Sequence, residues 1–428
     1  MFFARMMVER GSFMKSIQLH FVIFLLITSL LQGSDQICPS PLPRKYQHLQ
    51  AGDVVSAYFG NWDVYGVNQY QIERVEDIAD QLTHLIYGFM KPDDVTGVCR
   101  PHDIWADIGA FDDFQSKIGG NFAKLIDLKK KFPHLKILLS VGGGTYNKNF
   151  IALAQDTNRL HKFAKSCVDM LDFYNHPFRL DDNLRRVNHL TYEGLFDGLD
   201  LDWEWDTNSL TPELSQAYTQ FIQELRRLLD LREDHLKKES ILTVALQVNP
   251  KIYNNLNLAQ IARDVNWFNI MAYDFFGPSN ATIGFNAPIC GEWSVYSIDG
   301  ALQRIMTCGV SPAKMVLGLP FYGYLYENTD GHNAAITKDT KVKTIAYHVI
   351  ESKYLHDASY KKIWNKYEEI PSLYSKKDRT FITYDNKESL IKKVQIAKNK
   401  RMQGVVLWRL SCDDAQHSMI NAVAHAMR

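Results

Sequence analysis

Residues 196–205 read FDGLDLDWEW and set Asp200, Asp202 and Glu204 at i, i+2 and i+4, with Asp197 just ahead of them. Side chains alternate faces along a strand. The three acids therefore share one face, and Leu199, Leu201 and Trp203 share the other. A row of acids on a strand ordinarily faces water. Three features oppose that here: no Lys or Arg is interleaved, a second Trp, Trp205, ends the segment, and Gly198 marks a close backbone approach at the strand start. Carboxylates turned into a protein interior are costly to desolvate unless protons are held and hydrogen bonds supplied. Adjacent carboxylates cannot all ionise cheaply, so one keeps its proton, and such a group suits general acid catalysis near neutral pH.

The surrounding pattern supplies a scaffold. Apolar runs rich in β-formers predict strands at 53–59, 83–89, 136–141, 198–203, 241–248, 267–273, 314–320 and 404–408. Helix-like stretches lie between them at 122–132, 159–173, 212–231, 258–264 and 297–308. Continuous apolar strands alternating with helices indicate a parallel sheet, and eight such units predict an α/β fold, the (β/α)8 TIM barrel. A doubly wound sheet would want a glycine-rich phosphate loop after its first strand, which Ala57-Tyr58-Phe59-Gly60-Asn61-Trp62 is not. The stretch between Pro320 and Gly404 is too long for one connection. It predicts an inserted α+β lobe at 324–385, between the seventh and eighth strands, with a helix at 341–354 and a strand at 381–384. The barrel then comprises 50–323 and 386–428, with its last helix at 390–400. A polar excursion at 174–192 reads as surface.

Active sites of such barrels lie at the C-terminal ends of the strands. Those ends carry, in chain order, Tyr58 with Trp62 beyond, Phe89, Ser140 followed by Gly142 and Gly143, Glu204, Met271 with Tyr273 and Asp274, Tyr322, and Trp408. A Trp that ends a strand is more often core than binding surface, so the weight rests on seven such pieces in order.

From residue 57 to 413 this order resembles glycoside hydrolase family 18, the chitinase family, through AYFGNW, LTHLIYGF, SVGG, DGLDLDWE, NIMAYDFFG, LGLPFYG and GVVLW. The resemblance implies a chitinase, with Glu204 as the general acid, Asp202 on the substrate's N-acetyl group, Asp200 sharing a proton with Asp202, and Tyr273 donating to the acetamido carbonyl. It implies a sugar floor at Trp408 and substrate contacts at Tyr58, Trp62, Phe89, Trp203, Met271, Asp274 and Tyr322. Asp197, Gly198, Ser140, Gly142 and Gly143 belong to the structural motif. It implies no cofactor and no metal, and the chain has no C-x-x-C or H-E-x-x-H to suggest one. Three departures stand out: Gly144 where a Trp is usual, Asp206 where a Pro is usual, and Tyr324 where an Arg is usual. They bear on substrate length and affinity. The alternatives are a chitin-binding lectin on the same barrel, which would lack the acid, and a hydrolase of N-glycan cores, which usually lacks the lobe.

Lys+Arg and Asp+Glu balance at 48 each, so no net charge draws the chain to nucleic acid or an anionic membrane. Aromatic residues make up 12% of the 428, and many of the Tyr and Trp suit a carbohydrate cleft, where sugar C–H faces stack on rings. Lys15 ahead of the apolar run 21–31 reads as a secretory signal over 1–33, too short to span a bilayer, and a secreted monomer acting on chitin or its oligosaccharides is expected. The six cysteines, Cys38, Cys99, Cys167, Cys290, Cys308 and Cys412, are too sparse for a disulfide scaffold, and their pairing cannot be read from spacing.

Overall fold

Eight strands close into a parallel barrel: β1 (Val54–Gly60), β2 (His84–Asp93), β4 (Lys136–Gly142), β5 (Gly198–Asp202), β6 (Ile241–Gln247), β7 (Trp267–Met271), β8 (Met315–Pro320) and β14 (Gly404–Trp408). Each pairs with its neighbour in the order β1-β14-β8-β7-β6-β5-β4-β2, and a further β1–β2 ladder closes the ring. β2 runs on past Phe89 into a hairpin with β3 (Val98–Pro101). The computed structural model describes residues 54–65, 69–109, 119–172, 194–290 and 296–428. The signal-like 1–33, Cys38 and the polar stretch 174–192 lie outside the described residues. None of the described helices is long and apolar enough to cross a membrane.

All eight strands fall within a few residues of their predicted places, because each presents apolar residues to the helix layer, and all but β5, whose inner face carries Asp200 and Asp202, are largely apolar on the inner face as well. Leu199 and Leu201 of β5 join the outer layer between strands and helices. The inner cluster is Val54, Tyr58, Ile86, Phe89, Leu138, Ile241, Trp267, Val316 and Val406. Gly198 is forced by this geometry: a Cβ there would sit 1.9 Å from the Ile241 carbonyl oxygen. Gly198→Ala must spread the β5–β6 ladder, and we expect a loss of at least about 2 kcal/mol in chemical denaturation. An unchanged denaturation midpoint would show that the ladder adapts freely.

The helices at Gly120–Lys131, Thr157–Asp169, Pro212–Leu236, Leu258–Asp264, Ile298–Thr307 and Lys387–Asn399 sit where the apolar spacing puts them. The first crossover is instead a 3₁₀ segment, Ile72–Gln81, which buries Ile72, Val75, Ile78 and Ala79.

Between β8 and β14 lies a five-stranded antiparallel sheet: β9 (Tyr322–Glu327), β10 (Lys341–Ala346), β11 (Lys361–Asn365), β12 (Ile370–Ser375) and β13 (Thr380–Thr383), in the order β10-β9-β13-β12-β11. The helix expected over 341–354 is only Tyr347–Lys353. The first six residues of that range carry β-branched Val342, Thr344 and Ile345, and β10 pairs them along β9 as an edge strand. The β11–β12 hairpin was not expected. Its outer strand begins Lys361-Lys362 and is largely exposed, so it lacks the apolar alternation of a half-buried strand.

Candidate active site

A cleft of about 300 Å³ opens at the C-terminal end of the barrel. It is lined by Tyr58, Asp202, Glu204, Met271, Tyr273, Asp274, Tyr322 and Trp408, all named from sequence, and by Gln247, Val248, Asn249, Pro250, Phe275 and Tyr296, which were not.

Asp200 lies at the base of the acid row and is fully buried. Four donors fill its two oxygens: Tyr58 Oη at 2.9 Å, Ser140 Oγ at 2.7 Å, Thr243 Oγ1 at 2.5 Å and Asn269 Nδ2 at 3.0 Å. Each belongs to a different strand, so Asp200 ties together β1, β4, β6 and β7 around β5. Burial raises its pKa and these donors oppose the rise. No hydrogen bond joins Asp200 to Asp202 among the described residues. The oxygens of Asp200 are engaged by these four donors from the neighbouring strands. Thr243 and Asn269 were missed from sequence because each is a single polar residue inside an apolar strand.

Asp202 is 3% exposed, and its Oδ1 has no hydrogen-bond partner. Its pKa is driven well up by burial, then by the charges of Glu204 and Asp200. Glu204 stands just past the end of β5, and its pKa is pushed up to about 7, first by burial and then by the Asp274 carboxylate. Burial, followed by the carboxylates of Asp202, Asp274, Glu204 and Asp200, holds Tyr273 as a neutral phenol, able to donate a hydrogen bond.

Asp274 adopts a left-handed backbone conformation, φ 58°, uncommon for a residue other than Gly. Asn286 holds it there, accepting the Asp274 N–H at 2.9 Å and donating to the Tyr322 carbonyl at 3.3 Å. The Asp274 carboxyl accepts from Tyr322 Oη at 2.5 Å and Tyr324 Oη at 2.7 Å. Tyr324, in the place where an Arg is usual, thus supplies a donor to Asp274 but no positive charge.

Trp408 meets Tyr58 edge-on at 5.1 Å and lies nearly parallel to Phe89 at 6.1 Å. Phe89 in turn stacks on Trp62 at 5.7 Å. Arg409 covers one face of Trp62 at 5.1 Å and pairs with Asp63 at 2.8 Å.

Gly142 and Gly143 both have positive φ, and a Cβ at Gly142 would meet the Asp202 carbonyl oxygen at 2.1 Å. The Gly143 N–H donates to that same carbonyl at 2.8 Å, so the glycine turn grips the end of β5. Asp197 lies at the other end of the strand, paired with Lys129 and Lys238, and its Oδ2 accepts the Ile137 N–H.

One expected sugar contact is displaced. Trp203 is 1% exposed and faces the helix layer, between Phe150 at 4.7 Å and Trp205 at 4.2 Å, with its indole N–H on Asn147 Oδ1 at 2.9 Å. Alternation along the strand already sets it opposite Asp202, so no sugar in the cleft reaches it.

The sequence profile of Glycosyl hydrolases family 18 matches residues 54–413. The chain belongs to this family. Chitinase A1 of Niallia circulans is 29% identical over 416 residues, spanning 84% of this chain and 56% of that protein. The chain thus spans little more than half the length of that relative. Endochitinase 1 of Metarhizium robertsii is 27% identical over 391 residues, covering 88% of this chain and 85% of the fungal protein. Among solved structures, chitinase ChiA74 from Bacillus thuringiensis superposes with a TM-score of 0.75 at 25% identity, over 89% of this chain and 70% of that one. The family 18 barrel thus accounts for the closed ring and for the acid row at its mouth.

Proposed function

We propose that this family 18 protein is a chitinase, hydrolysing β-1,4 linkages between N-acetylglucosamine residues with retention of anomeric configuration. The observation that carries the reading is Glu204, a carboxyl poised near neutrality at the mouth of a barrel whose floor is Trp408. Glu204 protonates the glycosidic oxygen as the bond breaks. Trp408 stacks the sugar on the donor side, with Tyr58, Met271 and Tyr322 as walls, and Phe89 and Trp62 continue the platform. The acetamido oxygen of that sugar attacks its own anomeric carbon, Tyr273 donates to the acetamido group, and Asp202 accepts its N–H. Family 18 is an exception to the scheme of two paired carboxylates, which fits a site where Asp200 is tied up in hydrogen bonds. The presence of Glu204 favours this reading over a lectin.

Incubation with defined chitin oligomers, with product lengths and anomers followed by NMR, tests the proposal. Initial products in the β configuration are expected; α products or intact oligomers would overturn it. We further propose that residues 1–33 direct export and are removed, on the strength of Lys15 and the apolar run 21–31. N-terminal sequencing of the protein from its source organism decides this.

The pH profile follows from the charges. A general acid must be protonated, so turnover should fall as pH rises through about 7, the value to which Glu204 is pushed. Asp274 is the second cause of that rise. Removing its negative charge in Asp274→Asn should stabilise ionised Glu204 and move the alkaline limb to lower pH. A limb that stays in place or moves up would show that Asp274 does not act on the acid.

A further inference from the structure

The leaving-group side of the cleft needs a surface for the sugar that departs, and the usual supplier is missing. Gly144 has no side chain, and a Cβ there would lie 3.2 Å from Glu204 Oε1, so even a methyl group would press on the acid. The donor side is easily placed. Trp408 ends β14, Trp62 follows β1 and Phe89 lies on β2, three adjacent strands, and their rings form one continuous line. β6 stands four strands from β1 in a ring of eight, so the residues after these two strands face each other across the barrel mouth. A polymer that runs along Trp62 and Trp408 and passes Glu204 meets the rest of the cleft lining at the end of β6.

That part of the cleft is lined by Gln247, Val248, Asn249 and Pro250, with Phe275 and Tyr296 from beyond β7. Among these six, Gln247 is already engaged, accepting the Trp205 N–H at 2.7 Å. Phe275 is 5% exposed and part of the core. Tyr296 is 47% exposed, the most open of the six. Phe276 backs it at 5.8 Å. An exposed ring, supported on one side and open to the cleft on the other, is what a sugar's C–H face stacks upon.

We propose that Tyr296 is the stacking platform for the leaving-group N-acetylglucosamine, taking the part that Gly144 leaves vacant. This rests on the chitinase reading above. The platform should govern how well the sugar beyond the scissile bond is held, for hydrolysis of oligomers and for transfer to an acceptor sugar, and should be indifferent to the donor side.

The test compares two substrates in wild type, Tyr296→Ala and Tyr296→Phe. Chitotetraose places sugars on both sides of the scissile bond, whereas chitobiosyl fluoride has a leaving group of one atom and uses the donor side alone. Loss of one ring contact should lower kcat/KM of Tyr296→Ala on chitotetraose by about 3- to 10-fold. Chitobiosyl fluoride turnover should stay within about twofold, since only donor-side contacts remain in play. Tyr296→Phe keeps the ring and should behave as wild type on both. An unchanged kcat/KM of Tyr296→Ala on chitotetraose overturns the proposal, and so does an equal fall on both substrates, which would mark Tyr296 as support for the loop. A wild-type protein that cleaves neither substrate overturns the chitinase reading itself, which separates the two failures.

Discussion

Glu204→Gln is expected to lose 10²- to 10⁴-fold in turnover on chitin oligomers, the usual worth of a general acid, while binding them nearly as well as wild type. The amide keeps the size and much of the hydrogen-bonding capacity of the carboxyl but has no proton to give. Its environment should accept the exchange. Glu204 is held above its ordinary range by burial and by Asp274, so the protein already favours a neutral group at this position. Removing its charge also relieves Asp202, whose own proton is held in part by Glu204. The variant should therefore be at least as stable as wild type, and calorimetric titration with chitotetraose should give similar affinities for both. More than about a tenth of wild-type turnover in Glu204→Gln would remove Glu204 from the acid's role. Lost binding alongside lost turnover would show that the carboxyl contributes to holding the ground state.

The barrel was legible because eight apolar, β-rich runs alternate with helical stretches, a pattern that few architectures produce. The site was legible because the acid row of β5 and the polar and aromatic residues at the strand ends stand out against that pattern. What stayed hidden follows from the same logic. Thr243 and Asn269 are lone polar residues in apolar strands, and only the closure of the ring shows that both face Asp200. Asn286 lies in a connection with no periodicity, yet it fixes the left-handed Asp274. Arg409 follows the last strand, and its place over Trp62 depends on β1 and β14 being neighbours, a contact separated by nearly the whole chain. Trp203 was misplaced for a different reason. Motif membership outweighed strand alternation, which by itself sends that ring outward to Phe150. In β10, Lys341 and Lys343 alternate with partly buried residues on an exposed edge, and the apolar spacing that continues into Tyr347–Lys353 suggested one longer helix.

Fully deacetylated chitosan oligomers should be cleaved at least about 10³-fold more slowly than their N-acetylated counterparts of equal length. In the proposed chemistry the nucleophile is carried by the substrate. An internal acetamido oxygen held at the anomeric carbon has a very high effective molarity, and its removal leaves only water to attack. The protein offers no ready substitute. Asp200 has its oxygens filled by four donors, and Asp274 accepts from two tyrosines, so neither carboxylate is free to approach a sugar without breaking those bonds. Asp202, driven well above the usual carboxylate range, is a poor nucleophile while it holds a proton. Its Oδ1, buried without a partner, is instead a polar atom awaiting one, and the acetamido N–H of a bound sugar meets that need. A deacetylated sugar brings an ammonium group to the same place, which can pair with a carboxylate but cannot attack the anomeric carbon. Measured rates on a matched acetylated and deacetylated pair separate the two mechanisms. Comparable rates would mean that a carboxylate of the protein forms the covalent bond, and one of these acids would have to leave its present partners to do so.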